Sequence, residues 1–368
     1  MEFIDVQKQY KAMKEEIDEA MAKVLGDGRF IMGEEVKELE SQLQDYVGVK
    51  HCITCGNGTD GLQMALMTLG IQPGDEIITT PFSFISTADV VSLLGAKPIF
   101  VDIDPETYNF DISKIEEKIT KKTKAIIAVG IFGQMADCEG LKKISKKYNL
   151  KIIEDAAQSF GASFKGTKSC QPFSFGSTSF FPAKPLSCYG DGGAVFTNDD
   201  NFAQQLRAIR VHGGARHDYK RQGINSRLDT IQAAILKVKL KHYDKEIVNR
   251  KRAADFYNHN LQGLVTTPKV QAGNEHVYAQ YTIRVPAEMR DSIIKEMAGK
   301  GVPTGAYYPR IIPEQGMYQE LAYQKGSLPH AEKAASEVLS LPMHPYLTEE
   351  DQSRVVKGLK EVLSLECV

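Results

Sequence analysis

The chain has 368 residues, 42% of them hydrophobic, with 45 lysines and arginines against 47 aspartates and glutamates. That length builds a large core and, at roughly 150 residues per domain, predicts two domains, one of which can be much the smaller. A formal net charge of -2 lacks the basic excess of a nucleic-acid binder, so lysine-rich pieces such as KKTK (121–124) and KKISKKYN (142–149) read as solvated helix faces and loops.

The N-terminal stretch MEFIDVQKQYKAMKEEIDEAM reads as an amphipathic helix and is too charged for a signal peptide. No run of about 18 apolar residues suggests a membrane span, and a cytoplasmic protein is expected. From about residue 50 to 200, β-prone and helical runs alternate. HCITC (51–55), GDEIITT (74–80), KPIFVDI (97–103), KAIIAVGI (124–131) and KIIEDAAQ (151–158) are predicted strands. TDGLQMALMTLG (59–70), ISKIEEKI (112–119) and EGLKKISKKY (139–148) are predicted helices between them. This rhythm is that of an α/β protein with a mainly parallel sheet covered on both faces. Right-handed crossovers bring the C-terminal strand ends to one edge, where such sheets bind ligands.

TSFFPA (178–183) and GGAVFTND (192–199) look like a hairpin-like pair around a loop holding Lys184. NFAQQLRAIRVHGG (201–214) reads as a helix ending on two glycines, and residues 225–261 as one long helical stretch. After about residue 262, VYAQYTIRV suggests a strand, RDSIIKEMAGKG a helix, and a last helix falls near 349–364. The predicted division is a large unit of residues 1–245 and a smaller α+β unit of residues 246–368.

Cys52, Cys55, Cys138, Cys170, Cys188 and Cys367 are scattered widely and read as free thiols of a reducing cytosol. Cys52 and Cys55 form a C-x-x-C, but on a β-prone run with no second ligand pair, so no metal or redox site is expected.

Three segments at predicted strand ends carry chemistry. GNGTDGLQMAL (56–66) has two glycines before a helix that Thr59 and Asp60 begin. It is either an ordinary strand-to-helix turn with an N-cap threonine or a phosphate cradle made of helix N–H groups. In KIIEDAAQS, Asp155 ends an apolar strand, either solvated at the rim or buried in the ligand crevice, where it needs a cation. Lys184 lies between Pro182 and Pro185, which prevent a helix, and behind Phe180 and Phe181, read as an apolar wall. An amine desolvated in this way loses pKa and becomes a usable nucleophile or base. Phosphate cradle, acid and buried lysine in this order suit pyridoxal 5'-phosphate.

With these pieces, GRFIMG (28–33), PFSFISTA (81–88), IEDAAQSFGA (153–162), SFFPAKPLSCYGDGGA (179–194), RVHG (210–213), INSRLDTIQAA (224–234) and LPMHPYL (341–347) make the chain resemble a known family. It is similar, over almost its whole length, to the pyridoxal-phosphate-dependent nucleotide-sugar aminotransferases of the DegT/DnrJ/EryC1/StrS family. The resemblance implies fold type I, the aspartate-aminotransferase-like fold, with a large cofactor-binding domain and a smaller C-terminal domain.

It further implies that Lys184 forms the Schiff base with the cofactor and Asp155 holds the pyridine nitrogen protonated. Gln158 then lies near the ring hydroxyl and Phe84, rather than Phe82, on the ring face. Gly58, Thr59 and Ser179 hold the phosphate together with Asn225 from a second copy, so a homodimer with shared active sites is implied. Lysine at 184, where a dehydrating branch has histidine, implies transamination from glutamate to a keto nucleotide-sugar. The branch most resembled aminates C3 of UDP-2-acetamido-3-keto-glucuronic acid for surface polysaccharides. There Gly28, Phe30, Ala183, Arg227, Tyr307 and Tyr308 line the sugar-nucleotide pocket. Arg227 suits a carboxylate or diphosphate, or pairs instead with Asp229. Tyr307 departs from the branch, where histidine is expected. The alternatives are a C4 aminotransferase acting on a 4-keto-6-deoxy sugar and a non-catalytic regulator on the same fold. His212 is read as structural, at the C-terminal end of a helix. No metal is expected.

Overall fold

A computed structural model describes residues 1–215 and 217–365 of the chain; Cys367, one of the expected free thiols, lies outside them. Each short apolar run that ends in a turn becomes a strand of the central sheet: β1 (His51–Cys55), β2 (Glu76–Thr79), β3 (Lys97–Phe100), β4 (Thr123–Val129), β5 (Lys151–Asp155), β6 (Phe175–Ser179) and β7 (Gly193–Thr197). Their order is β1-β7-β6-β5-β4-β2-β3. All pairs from β6 to β3 run parallel, while β7 is antiparallel to both β6 and β1. The hairpin-like pair around the lysine loop is therefore real, with Thr178 opposite Ala194 and Ser179 opposite Gly193.

Alternation along the strands feeds two apolar layers. Ile53, Ile77, Ile127, Ile153 and Val195 face α4 (Gly58–Thr68), α5 (Ser86–Leu93) and α7 (Asp200–Ile209). Cys52, Ile126, Ile152 and Phe196 face the other way, toward α3 (Glu34–Val47), α6 (Cys138–Tyr148) and α8 (Thr230–Leu261). The apolar runs on β4, β5 and β7 are continuous because both faces are covered.

A second core joins the end of α8 (Ala253, Ala254, Tyr257, Leu261) to the antiparallel pair β8 (Tyr281–Arg284) and β9 (Val338–Leu341). Helices α9 (Arg290–Gly299) and α11 (Glu349–Leu365) complete it, and α10 (Pro329–Glu337) turns back onto the sheet region through Ala331, Ala334 and Ala335. Residue 245 lies inside α8, which runs unbroken and contributes Ala233, Leu236 and Tyr243 to one core and Tyr257 to the other. Among the described residues, no helix is long and apolar enough to cross a membrane.

Several elements differ from expectation. The N-terminal region forms three helices, α1 (Val6–Ala12), α2 (Lys14–Asp27) and α3, the last set by the stripe Val36, Leu39, Leu43, Val47. ISKIEEKI forms two single 3-10 turns, Ile112–Lys114 and Glu116–Lys118, around the fully buried Ile115. One buried anchor fixes that stretch better than a short helix of weak propensity would. NSRLD stays extended, and α8 begins only at Thr230. The described cysteines are free and buried; burial pushes the Cys52 and Cys55 thiols up, against any redox use of the C-x-x-C.

Three elements are clamped by one buried ion pair. The Nη1 of Arg210, just past α7, donates to Glu40 Oε1 on α3 at 2.6 Å and to the Thr54 carbonyl on β1 at 3.0 Å. Glu40 Oε1 also accepts from Thr54 N–H and Thr54 Oγ1, each at 2.9 Å. Removing one buried partner strands the other charge. Glu40→Ala is expected to cost about 3–5 kcal/mol in urea unfolding, with much of that recovered in the Glu40→Leu/Arg210→Met double variant.

Candidate active site

Asp155 is the last residue of β5, and its carboxylate is buried at the C-terminal sheet edge. Its Oδ1 accepts from the Ala157 N–H at 3.2 Å and its Oδ2 from Thr87 Oγ1 on α5 at 3.0 Å. Burial raises its pKa, opposed by these two hydrogen bonds and by the charge of Lys184. The open choice for this aspartate is thus resolved toward the buried arrangement.

Lys184 stands in the loop between β6 and β7. Its N–H donates to the Phe181 carbonyl at 2.8 Å, closing a turn between the two prolines. Its amine has no hydrogen-bond or ion-pair partner among the described residues. Enclosure by protein holds it below the ordinary lysine range, and the Asp155 charge pulls the other way. The expected wall of two phenylalanines is corrected: Phe180 is fully buried in the core against Phe160, while Phe181 is half exposed. Adjacent residues of an extended segment point to opposite sides, so only one of them can face inward.

The start of α4 lies alongside. Asn57, not Thr59, is its N-cap: Asn57 Oδ1 accepts from Asp60 N–H at 2.8 Å, and its carbonyl takes the Gly61 N–H. That leaves the N–H groups of Gly58 and Thr59 without a partner among the described residues, at the positive end of the helix, as an anion requires. A Cβ on Gly58 would stand 2.7 Å from the Cβ of Ser179, so Ser179 at the end of β6 closes against this turn. The Ser226 hydroxyl accepts from the Gly56 N–H at 2.9 Å and draws residues 225–227 to the same place.

Gln158 Oε1 accepts from the Phe132 N–H at 2.9 Å, and its Nε2 donates to the Tyr308 hydroxyl at 3.2 Å. The Tyr308 ring lies 6.3 Å from Phe84. Phe82 is fully buried, whereas Phe84 is 54% exposed, so only Phe84 has a face free for a ligand. Lys184, Asp155, Gln158, Gly58, Thr59, Ser179, Phe84 and Tyr308 therefore gather at one edge.

The remaining expected residues sit around that group. Ala183 is partly exposed in the lysine loop. Tyr307 packs on Tyr308 and, at 5.8 Å, on Phe3. Gly28 ends α2 in a left-handed conformation (φ 66°) and with Phe30 lines an open depression of about 410 Å³. The Thr230 N–H donates to the Phe30 carbonyl at 2.9 Å, tying that loop to the start of α8. Arg227 precedes α8 and is only partly exposed, and it makes no ion pair with Asp229 among the described residues. Asn225 is exposed and bridges to Val211. His212 (φ 67°) occupies the turn after α7, as a structural reading requires. Thr87, the hydrogen-bond partner of Asp155, was missed; its only signal was its place in PFSFISTA.

The set fits pyridoxal phosphate. It offers an unpartnered amine, a buried carboxylate suited to a ring N–H⁺, and free helix N–H groups where a side chain at Gly58 would intrude. Glu154, one residue before Asp155, points to the opposite side of the sheet. It accepts from Ser169 Oγ at 2.7 Å and from the Cys170 N–H at 2.8 Å. Burial pushes it up to about 7, from 4.5. A raised carboxyl favours the folded state while protonated, so this contribution fades as pH rises from about 4.5 to about 7, by up to about 3 kcal/mol. Urea unfolding of the cofactor-free protein should show stability falling across that window, and Glu154→Gln should flatten the fall.

Comparison with known proteins agrees with this geometry. A profile of the DegT/DnrJ/EryC1/StrS aminotransferase family matches residues 11–360. The UDP-2-acetamido-2-deoxy-3-oxo-D-glucuronate aminotransferase of Pseudomonas aeruginosa is 50% identical, over 94% of this chain and 96% of that protein. The crystal structure of a DegT DnrJ EryC1 StrS aminotransferase from Brucella abortus is 42% identical, with a TM-score of 0.93 over 98% of this chain and 99% of that one. The structure of NtdA from Bacillus subtilis, with bound cofactor PMP, is 32% identical, with a TM-score of 0.90 over 98% of this chain and 83% of that one. The chain belongs to the DegT/DnrJ/EryC1/StrS aminotransferase family, whose aminotransferases are pyridoxal-phosphate-dependent.

Proposed function

We propose that this aminotransferase moves the amino group of L-glutamate to C3 of UDP-2-acetamido-3-keto-glucuronic acid, in the cytoplasm, on a route to surface polysaccharide. The observation that carries the reading is the unpartnered amine of Lys184 beside buried Asp155, at the edge where the N–H groups of Gly58 and Thr59 lie free. The 50% identity to the Pseudomonas aeruginosa protein supports the choice of sugar. When bound, pyridoxal phosphate supplies the electron sink that makes a carbon-bound proton acidic.

The chain's own residues do the rest. Lys184 would hold the cofactor, and its amine would carry the proton as base and then acid. Asp155 would keep the ring nitrogen protonated, and Gln158 and Phe84 would help to hold the ring. Gly58, Thr59 and Ser179 take the phosphate, together with Asn225 of a second copy in a homodimer. Gly28, Phe30, Ala183, Arg227, Tyr307 and Tyr308 receive the sugar nucleotide, with Arg227 paired bidentately to its carboxylate or diphosphate. Residues 1–245 form the cofactor-binding unit and residues 246–368 the smaller one. Tyr307, where this branch is expected to carry histidine, is the one feature favouring a second reading, amination at C4 of a 4-keto-6-deoxy sugar.

The purified protein should be yellow, lose that colour with glutamate, and convert only the 3-keto glucuronate sugar to a product with the mass of the amine. Lys184→Ala should retain the fold and lower turnover by roughly 10²–10⁴-fold or more. A colourless protein that takes up no added cofactor would sink the reading.

A further inference from the structure

LPMHPYL (341–347) has no part in the function proposed above, yet it delivers His344 to the back of the lysine loop. His344 is 2% exposed, and its Nδ1 is buried with no hydrogen-bond partner. It lines a small, partly open pocket of about 10 Å³ with Lys184, Pro182, Ser187, Gln9 and Arg250. A cavity of that size holds one water, provided polar groups are there to bind it.

The unspent polar groups around the cavity can be counted. Ser187 is buried, and its oxygen accepts from the Nζ of fully buried Lys239 at 3.3 Å, while its own O–H has no acceptor among the described residues. Arg250 gives Nη1 to the carbonyls of Tyr278 and Met343, each at 3.2 Å, and its buried Nε–H has no partner. Gln9 Nε2 is taken by Glu246, at 3.0 Å and 3.1 Å from its two oxygens. Burial and the Arg250 charge hold the His344 imidazole down at about 4, with Lys8 acting in the same direction and Asp5 and Asp351 against it. His344 is therefore neutral near pH 7 and presents a ring nitrogen as an acceptor. Two donors without acceptors, an unpartnered imidazole nitrogen and a free amine thus belong to residues that line one single-water space. Leaving such buried groups unpaired is destabilising.

We propose that one ordered water fills this cavity and bridges the His344 imidazole to the Lys184 amine, making His344 a positioning residue for the proton that Lys184 carries. The water accepts from Ser187 or Arg250 and donates to His344 and to the lone pair of neutral Lys184. When Lys184 is protonated, the water turns to accept from it. His344 touches neither substrate nor cofactor and acts through Lys184. The proton-carrying role rests on the function proposed above, whereas the water does not.

The test has two arms. A high-resolution crystal structure of the cofactor-free protein should show one water within hydrogen-bond reach of Lys184 Nζ and a His344 nitrogen. That water should be absent in His344→Phe, which keeps a flat ring and removes the acceptor. In steady-state kinetics His344→Phe should lower kcat about five- to ten-fold, the scale of one lost hydrogen bond, with KM for glutamate little changed. The isotope effect with α-deuterated glutamate should rise, and His344→Gln, which keeps a polar reach, should recover most of kcat. An empty cavity in the wild-type protein would overturn the inference, as would a His344→Phe enzyme with unchanged kcat and isotope effect. Should His344→Phe fail to fold, the wild-type density and the His344→Gln kinetics decide. A wild-type protein without colour or turnover would instead refute the function, so the two failures are distinguishable.

Discussion

An amine without a hydrogen-bond partner among the described residues, close enough to a buried carboxylate to feel its charge, is the constraint on which the rest of this structure turns. Neither Lys184 nor Asp155 would be stable where it is in isolation: burial pushes the lysine down and the aspartate up, and each charge partly restrains the shift of the other. Asp155 is buried, whereas Lys184 keeps partial exposure. The parallel pairing of β5 with β6 puts Asp155 opposite Ser177, two residues before β6 ends and gives way to the lysine loop. The antiparallel return through β7 then brings the chain back past Asn57, so that loop, acid and helix start share one edge.

The same edge explains why β7 alone reverses direction. A parallel crossover would separate Lys184 from the sheet by a helix, whereas a hairpin keeps it within a few residues of β6. The loop is further tied from behind. Cys188 N–H donates to the Phe180 carbonyl, Tyr189 exchanges hydrogen bonds with Gln232 on α8, and Lys239 reaches Ser187. Helix α8 thus holds the lysine loop with its first half and carries the second core with its other half.

Much of this was legible in the residues. Apolar runs ending in polar turns located six strands of the main sheet, because strands covered on both faces carry that pattern undiluted, while β6, expected as TSFFPA (178–183), runs instead over Phe175–Ser179. Asp155 and Lys184 were legible because a carboxylate ending an apolar strand and a lysine between prolines both violate the usual placement of charge. What failed was local. ISKIEEKI carries helical spacing, but its shape is decided by the burial of Ile115, a tertiary fact. The choice of Asn57 over Thr59 as helix cap depends on backbone angles that GNGTDG does not specify, and the pairing of Phe180 with the core depends on which way the strand emerges. Thr87 and His344 were invisible as site residues because each acquires meaning only from a partner distant in sequence.

The central claim is that Lys184 bears the cofactor. Reducing the purified holoprotein with borohydride and mapping the digest by mass spectrometry tests it most directly. The account predicts one reduced pyridoxal-phosphate adduct, on the peptide containing Lys184 and on that residue alone. An adduct on Lys239 or any other lysine, or no adduct on a protein that is yellow beforehand, would contradict it.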